Sequence, residues 1–153
     1  MLRKTILLMG VVFSLLTVSS CDKDDDDDDA DDNIVLFSGV MNGANEFPVS
    51  ASTATGNVSG SFDRTTKILT LTITYTGLSS AIQMWHVHKG AVGASGPPLA
   101  GFDWKVMGAS PWTWQSWPLD AAHEADLMAN LYYANIHTVN FGGGEIRGQL
   151  TKQ

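Results

Sequence analysis

The stretch "MWHVHKG" carries two histidines, His86 and His88, separated by one residue. On a β-strand alternate side chains point to opposite faces, so both imidazoles project together while Trp85 and Val87 take the other side. Neutral imidazole binds zinc or copper at about 2.0–2.1 Å, and an i, i+2 pair on a strand is a workable chelate. His137, in "NIHTV", is a third donor. Two chemistries fit these residues. One is a mononuclear metal site of His86, His88 and His137, completed by Glu46 or Glu145. The other is a polar scaffold in which the rings are satisfied by carboxylates and backbone. Glu46, Glu145 and Arg147 carry their own structural reading, a buried ion network holding the two chain ends together, because buried charge is tolerated only when paired and hydrogen-bonded.

The tryptophans are the other chemical feature. Trp112 and Trp114 share a face if extended, with Trp104 and Trp117 close by. Exposed, they would stack on sugar rings or anchor a protein partner; packed, they close a small core. Catalysis finds little support. There is no Ser-His-Asp spacing, no phosphate-cradling glycine loop and no cysteine pair, and two glutamates alone do not make a glycosidase cleft. "HVH" looks like the paired ligands of copper–zinc superoxide dismutase. That two-metal centre uses more histidines than the four in this chain, and a single cysteine excludes the enzyme's disulfide. We therefore expect a non-enzymatic protein with no cofactor, the alternative being one Zn or Cu ion.

The elements that must position these groups are strands. "ILTLTITYTG" sets Leu69, Leu71, Ile73 and Tyr75 on one face and Thr70, Thr72, Thr74 and Thr76 on the other. "ATGNVSGSFD" alternates likewise, with Val58 and Phe62 among the inward residues, and "DRTTK" reads as the hairpin loop joining the two. "IVLFSGVM" is the first strand, followed by the turn-rich "NGANEFP". "LDAAHEADLMANL" reads as a helix capped by Asp120, with Leu127 and Leu131 four apart and His123 on it. In the last hairpin a five-residue loop, Asn140–Gly144, would place Val139 opposite Glu145 and His137 opposite Arg147. Cross-strand partners lie about 4.5–5.5 Å apart at Cβ, so the Arg147 cation would keep His137 neutral. Short strands with close turns and one helical insertion argue for a mostly β protein, an antiparallel sandwich or barrel.

The chain's beginning bears on where it works. Arg3 and Lys4 precede an apolar run, Thr5–Val18, too short for the roughly 20 residues of a membrane span, so residues 1–20 read as a secretory signal. Cys21 is the lone cysteine and cannot form an internal disulfide. "LTVSSC" resembles a bacterial lipobox, which implies cleavage before Cys21, its lipidation, and a firm bilayer anchor. Residues 21–33 then form an acidic tether. Its nine aspartates are more than half of the chain's 16 acidic residues, which leaves residues 34–153 with seven acids against six bases. Such a run stays extended by self-repulsion. It reads as a spacer, as a surface-export signal, or weakly as a calcium ligand. No basic patch suggests nucleic acid.

Residues 34–153 make one domain. "NGANEFPVSASTATG", "HVHKGAVGASGPP" and "NIHTVNFGGGEIRGQL" resemble the chordin-type (CHRD) domain of bacterial secreted proteins, over about Phe37 to Leu150. The family's Asn-Glu-x-Pro element falls on Asn45, Glu46 and Pro48, and His-x-His-x-Gly on His86, His88 and Gly90. Gly-Pro falls on Gly96-Pro97, His-Thr on His137-Thr138, and Gly-Gly-Glu-Ile-Arg-Gly on Gly143 to Gly148. Val49 departs from the pattern, many members having a second proline there. The resemblance implies an immunoglobulin-like β-barrel module, found in its namesake within an extracellular growth-factor antagonist. It implies no general activity for bacterial members. The combined expectation is a lipid-anchored outer-membrane or cell-surface protein whose domain is a binding or structural module, with protein or glycan as partner. A metal-dependent redox or metal-capture protein and a glycan binder using Trp104–Trp117 are the rivals.

Overall fold

The structure, a computed structural model, describes residues 33–99 and 107–153. The segment expected to be a leader, Cys21, the acidic run and Trp104 lie outside the described residues. Strands β1 (Ile34–Asn42), β2 (Thr55–Asp63), β3 (Ile68–Thr76), β4 (Ile82–Lys89), β5 (Trp112–Gln115), β6 (Tyr132–Thr138), β7 (Ile146–Gln149) and the short β8 (Thr151–Lys152) are joined by one α-helix, α1 (Ala121–Met128). A single 3₁₀ turn spans Gly43–Asn45, its first residue preceded by Asn42, whose side chain accepts from the Asn45 N–H at 2.9 Å. All pairings are antiparallel, in the order β4-β6-β7-β1-β2-β3-β5, with β8 also on β1. The described residues are mostly β, with one short helix, and their sheet curls into a half-barrel.

Alternation explains the core. Phe37 and Met41 of β1, Val58 and Phe62 of β2, Leu69, Leu71 and Ile73 of β3, and Trp85 and Val87 of β4 are all buried on the concave side. Burial of each such side chain stabilises by about 1.5–3 kcal/mol before entropy is counted. The threonines of β3 face outward, as their period-two spacing requires. The strands at the two ends of the order meet through side chains: Trp85 of β4 packs edge-on against Trp112 and Trp114 of β5, with ring centroids 4.6 and 5.6 Å away. Half-buried against the core, Trp112 and Trp114 therefore occupy the closing seam of the half-barrel.

Two local expectations are corrected. The helix ends at Met128, short of Leu131, because Asn130 adopts left-handed backbone (φ 58°) and its side chain is drawn off to accept from the Lys152 N–H at 2.7 Å. The last hairpin is shifted by two residues: Asn135 pairs with Arg147 and Ile136 with Ile146. Its loop is longer than five residues because the Val139 N–H turns away to Ala81 O, leaving Val139 60% exposed. A slip of two preserves faces, since side chains repeat every second residue. His137, Asn135 and Arg147 still share one side.

Candidate metal centre

The outer face of β4, β6 and β7 is polar, and it is covered. His86 lies across from Asn135, which lies across from Arg147; His88 lies across from Tyr133, which lies across from Gln149. The segment after β4 folds back over this face. Lys89 N–H donates to Pro97 O and Leu99 N–H to Val87 O, so the loop is pinned along the edge of its own strand. Gly96 makes the cover close-fitting: a Cβ there would sit 1.7 Å from Lys89 O. This approach lets Gly96 present its carbonyl to His88 and its N–H to the Tyr133 hydroxyl (2.8 and 3.2 Å).

Arg147, almost fully buried, fastens the same loop. Its guanidinium donates to Ala91 O and Ala94 O, both at 2.8 Å, and to the Gln149 amide oxygen at 3.1 Å. It also lies 3.3 Å above the Tyr133 ring centroid, while His88 stacks parallel to that ring at 4.9 Å. Two planar groups at those distances cannot share one face, so Tyr133 is held between them. The cation–π contact and the carbonyl bonds satisfy a charge that would otherwise be stranded.

Within this frame the three predicted imidazoles converge. One ligand atom from each of His86, His88 and His137 lies within 4.8 Å of the other two. A carbonyl oxygen only accepts, which settles two tautomers. His88 Nδ1–H donates to Gly96 O at 2.8 Å and His137 Nδ1–H to Gly142 O at 2.9 Å, so both rings carry their lone pair on Nε2. His137 Nε2 receives the Nδ1–H of His86 at 3.1 Å. His88 Nε2 is buried with no hydrogen-bond partner. An inward lone pair backed by a carbonyl on the other ring nitrogen is the arrangement of metal-ligating histidines. Burial, with the neighbouring rings second, pushes His86 down to about 4, and burial also holds His88 and His137 below the ordinary imidazole range. The rings are therefore neutral at pH 7, as ligands must be. The cause differs from the sequence expectation: burial keeps His137 neutral, while Arg147 acts as a minor influence on His88.

The predicted ion network is divided. Glu145 is fully buried but bonds to Ser52, Ser79 and Thr138, and no ion pair joins it to Arg147. Glu46, 5% exposed, comes from the turn after β1 and reaches the polar face beside Asn135. Its carboxyl lies against Gly144, whose φ of +126° and missing Cβ make room for it; an added Cβ would sit 2.5 Å from Oε1. Desolvation pushes Glu46 up to about 7, although Arg147 and Asn135 both act to lower it. Asn135 was not singled out by sequence, although alternation places it beside His137; its Oδ1 is buried without a partner, as is Glu46 Oε1.

These shifts have opposite consequences for stability. A carboxyl raised in the fold from 4.5 to about 7 contributes fully below 4.5, and its contribution is lost as pH rises through 7. A histidine depressed from 6.5 to about 4 contributes fully above 6.5, and its contribution is lost as pH falls toward 4. Glu46→Gln removes only the first effect. The metal-free variant should exceed the wild type by about 2 kcal/mol at pH 8 and match it near pH 4, read from denaturation midpoints. An equal difference at both pH values would show that Glu46 is not held in this state.

A curled antiparallel half-barrel with a histidine cluster beneath a glycine-rich cover defines the class of module. The family model for the CHRD domain matches residues 37–150, and the chain belongs to that family. No curated protein and no solved structure matches it significantly.

Proposed function

We propose that this chain is a tethered, extracytoplasmic CHRD module that captures one transition-metal ion through His86, His88 and His137. The observation that supports this reading is the pair of Nε2 lone pairs on His88 and His137, each aimed inward by a backbone carbonyl on Nδ1, with that of His88 left unsatisfied. Three neutral nitrogen donors suit zinc or copper over magnesium or calcium, which prefer oxygen. The lipobox-like "SSC" and the acidic run support a position on the cell surface, held by acyl chains on Cys21.

The test uses the full chain purified in detergent, loaded with Zn(II) or Cu(II) and passed over a desalting column. One ion per chain should survive, and none in the His86→Ala/His88→Ala/His137→Ala variant. Equal retention by that variant would assign the ion to the aspartate run and overturn the reading. The anchor is read separately: radiolabelled palmitate should enter the wild type and not Cys21→Ser.

A further inference from the structure

We infer that the ion in this centre keeps one coordination position open to an exchangeable small ligand, water or an anion, and that Glu46 and Asn135 are the positioning residues for it. This rests on the metal reading above. The polar face contains three buried atoms without a well-formed hydrogen bond: His88 Nε2 and Asn135 Oδ1, whose side chains adjoin each other, and Glu46 Oε1, whose carboxyl is also beside Asn135. Leaving even one such atom unmet is costly, so three on one face call for a common occupant. An ion accounts for the imidazole nitrogen only. Asn135 Oδ1 is an acceptor, as is Glu46 Oε1 in the carboxylate form that a neighbouring cation favours, and what satisfies them is a donor such as the protons of a metal-bound water.

The placement supports this division. Asn135 sits directly across from His86 on the neighbouring strand and two residues before His137, on the same face. Glu46 is held beside Asn135, with its carboxyl accommodated by the missing side chain of Gly144 and attracted by Arg147. Neither contributes to the histidine cluster itself, which contains three protein donors. A structural zinc site closes with four protein ligands, whereas three histidines leave a position for solvent or substrate. His86 and His88 are only half-buried, so the centre is reached from solvent without opening the core. The device is a Lewis-acid position with a carboxyl–amide pair behind it, built outside the barrel and independent of the aliphatic interior.

The probe is azide on the Co(II)-loaded full chain, read by visible absorption. Wild-type protein should show saturable band shifts with azide. Glu46→Gln, which removes the acceptor that anchors water and any negative charge beside the ion, should bind azide about tenfold more tightly while still holding one Co(II) per chain. Thr72→Val, on β3 and away from the β4–β6–β7 polar face, should leave both values unchanged. Failure of the wild type to hold Co(II) would overturn the metal reading itself. Firm Co(II) binding with no spectral response to azide would overturn the open position alone. A normal azide response, unchanged in Glu46→Gln, would remove Glu46 from the role. Should Glu46→Gln lose its native circular dichroism, the same comparison is made with Asn135→Ser, which shortens the second acceptor.

Discussion

The variant His88→Ala/His137→Ala is expected to lower zinc affinity by at least about 10³-fold, measured by competition with a chromophoric chelator. Structural zinc sites bind with roughly 10–16 kcal/mol over four ligands, or about 3 kcal/mol per donor. Removing two donors of three therefore exceeds three decades. These two are the informative pair because their tautomers are fixed by Gly96 O and Gly142 O, whereas His86 donates its Nδ1–H to His137 and must surrender that bond to the ion. His123→Ala on α1 should change nothing, since that ring sits against Asp120 at the helix start. The pH dependence provides a second reading. Free imidazoles lose metals as pH falls through 6.5; rings already depressed by burial, His86 to about 4, should hold zinc well below that before protons compete. Loss of zinc centred near pH 6.5 would mean that the rings behave as solvent-exposed side chains and that the buried cluster is not the site.

Much of this arrangement can be read from alternation, and the failures have a common origin. The inward faces of β2 and β3 follow directly from Val58, Phe62, Leu69, Leu71 and Ile73, because period two admits only two choices and burial selects one. The co-facial placement of His86, His88 and His137 follows from the same rule and survives the misjudged hairpin, since a slip of two returns every side chain to its own face. What alternation does not carry is the path of a loop. Glu145 precedes the first paired residue of β7 and leaves the pattern, so grouping it with Arg147 extended the rule one residue too far. Nothing in "NGANEFP" indicates that Glu46 reaches across to Asn135, because that contact depends on the missing Cβ of Gly144, about a hundred positions later. For Trp112 and Trp114 the bracketing Pro111 and Pro118 favour packing over stacking, and both rings lie edge-on against Trp85 between the sheet's ends. The ligand reading proposed for the histidines likewise rests on single atoms, the carbonyls behind Nδ1, which no spacing encodes.

Glu145→Ala is expected to be the most damaging single polar change, costing about 3–5 kcal/mol and read as a large fall in the denaturation midpoint. The carboxylate is fully buried and accepts from Ser52 Oγ at 2.8 Å, Ser79 N at 2.7 Å, Ser79 Oγ at 3.0 Å and Thr138 Oγ1. It thereby ties the turn before β2 and the β3–β4 turn to the end of β6. Hydrogen bonds to a charged acceptor contribute about 1.5–3 kcal/mol each, and the Ser79 N–H cannot rotate toward another partner when the acceptor is lost. Burial pushes this carboxyl up, but the bonds from Thr138, Ser52 and Ser79 outweigh it and hold Glu145 below 4.5. Its contribution is therefore present above 4.5 and lost as pH falls below that value, the reverse of Glu46. Glu145→Gln keeps the shape but turns an amide NH₂ toward donors, so it should still lose about 2 kcal/mol at pH 7 and lack this acid-side decline. Wild-type stability in Glu145→Gln at pH 7 would show that shape, not charge, holds the knot. The loop that ends at Glu145 carries Gly142, whose carbonyl sets the His137 tautomer, so zinc affinity should fall with stability in both variants. A destabilised Glu145→Ala that still binds zinc at full strength would place the His137 anchor outside this knot's control.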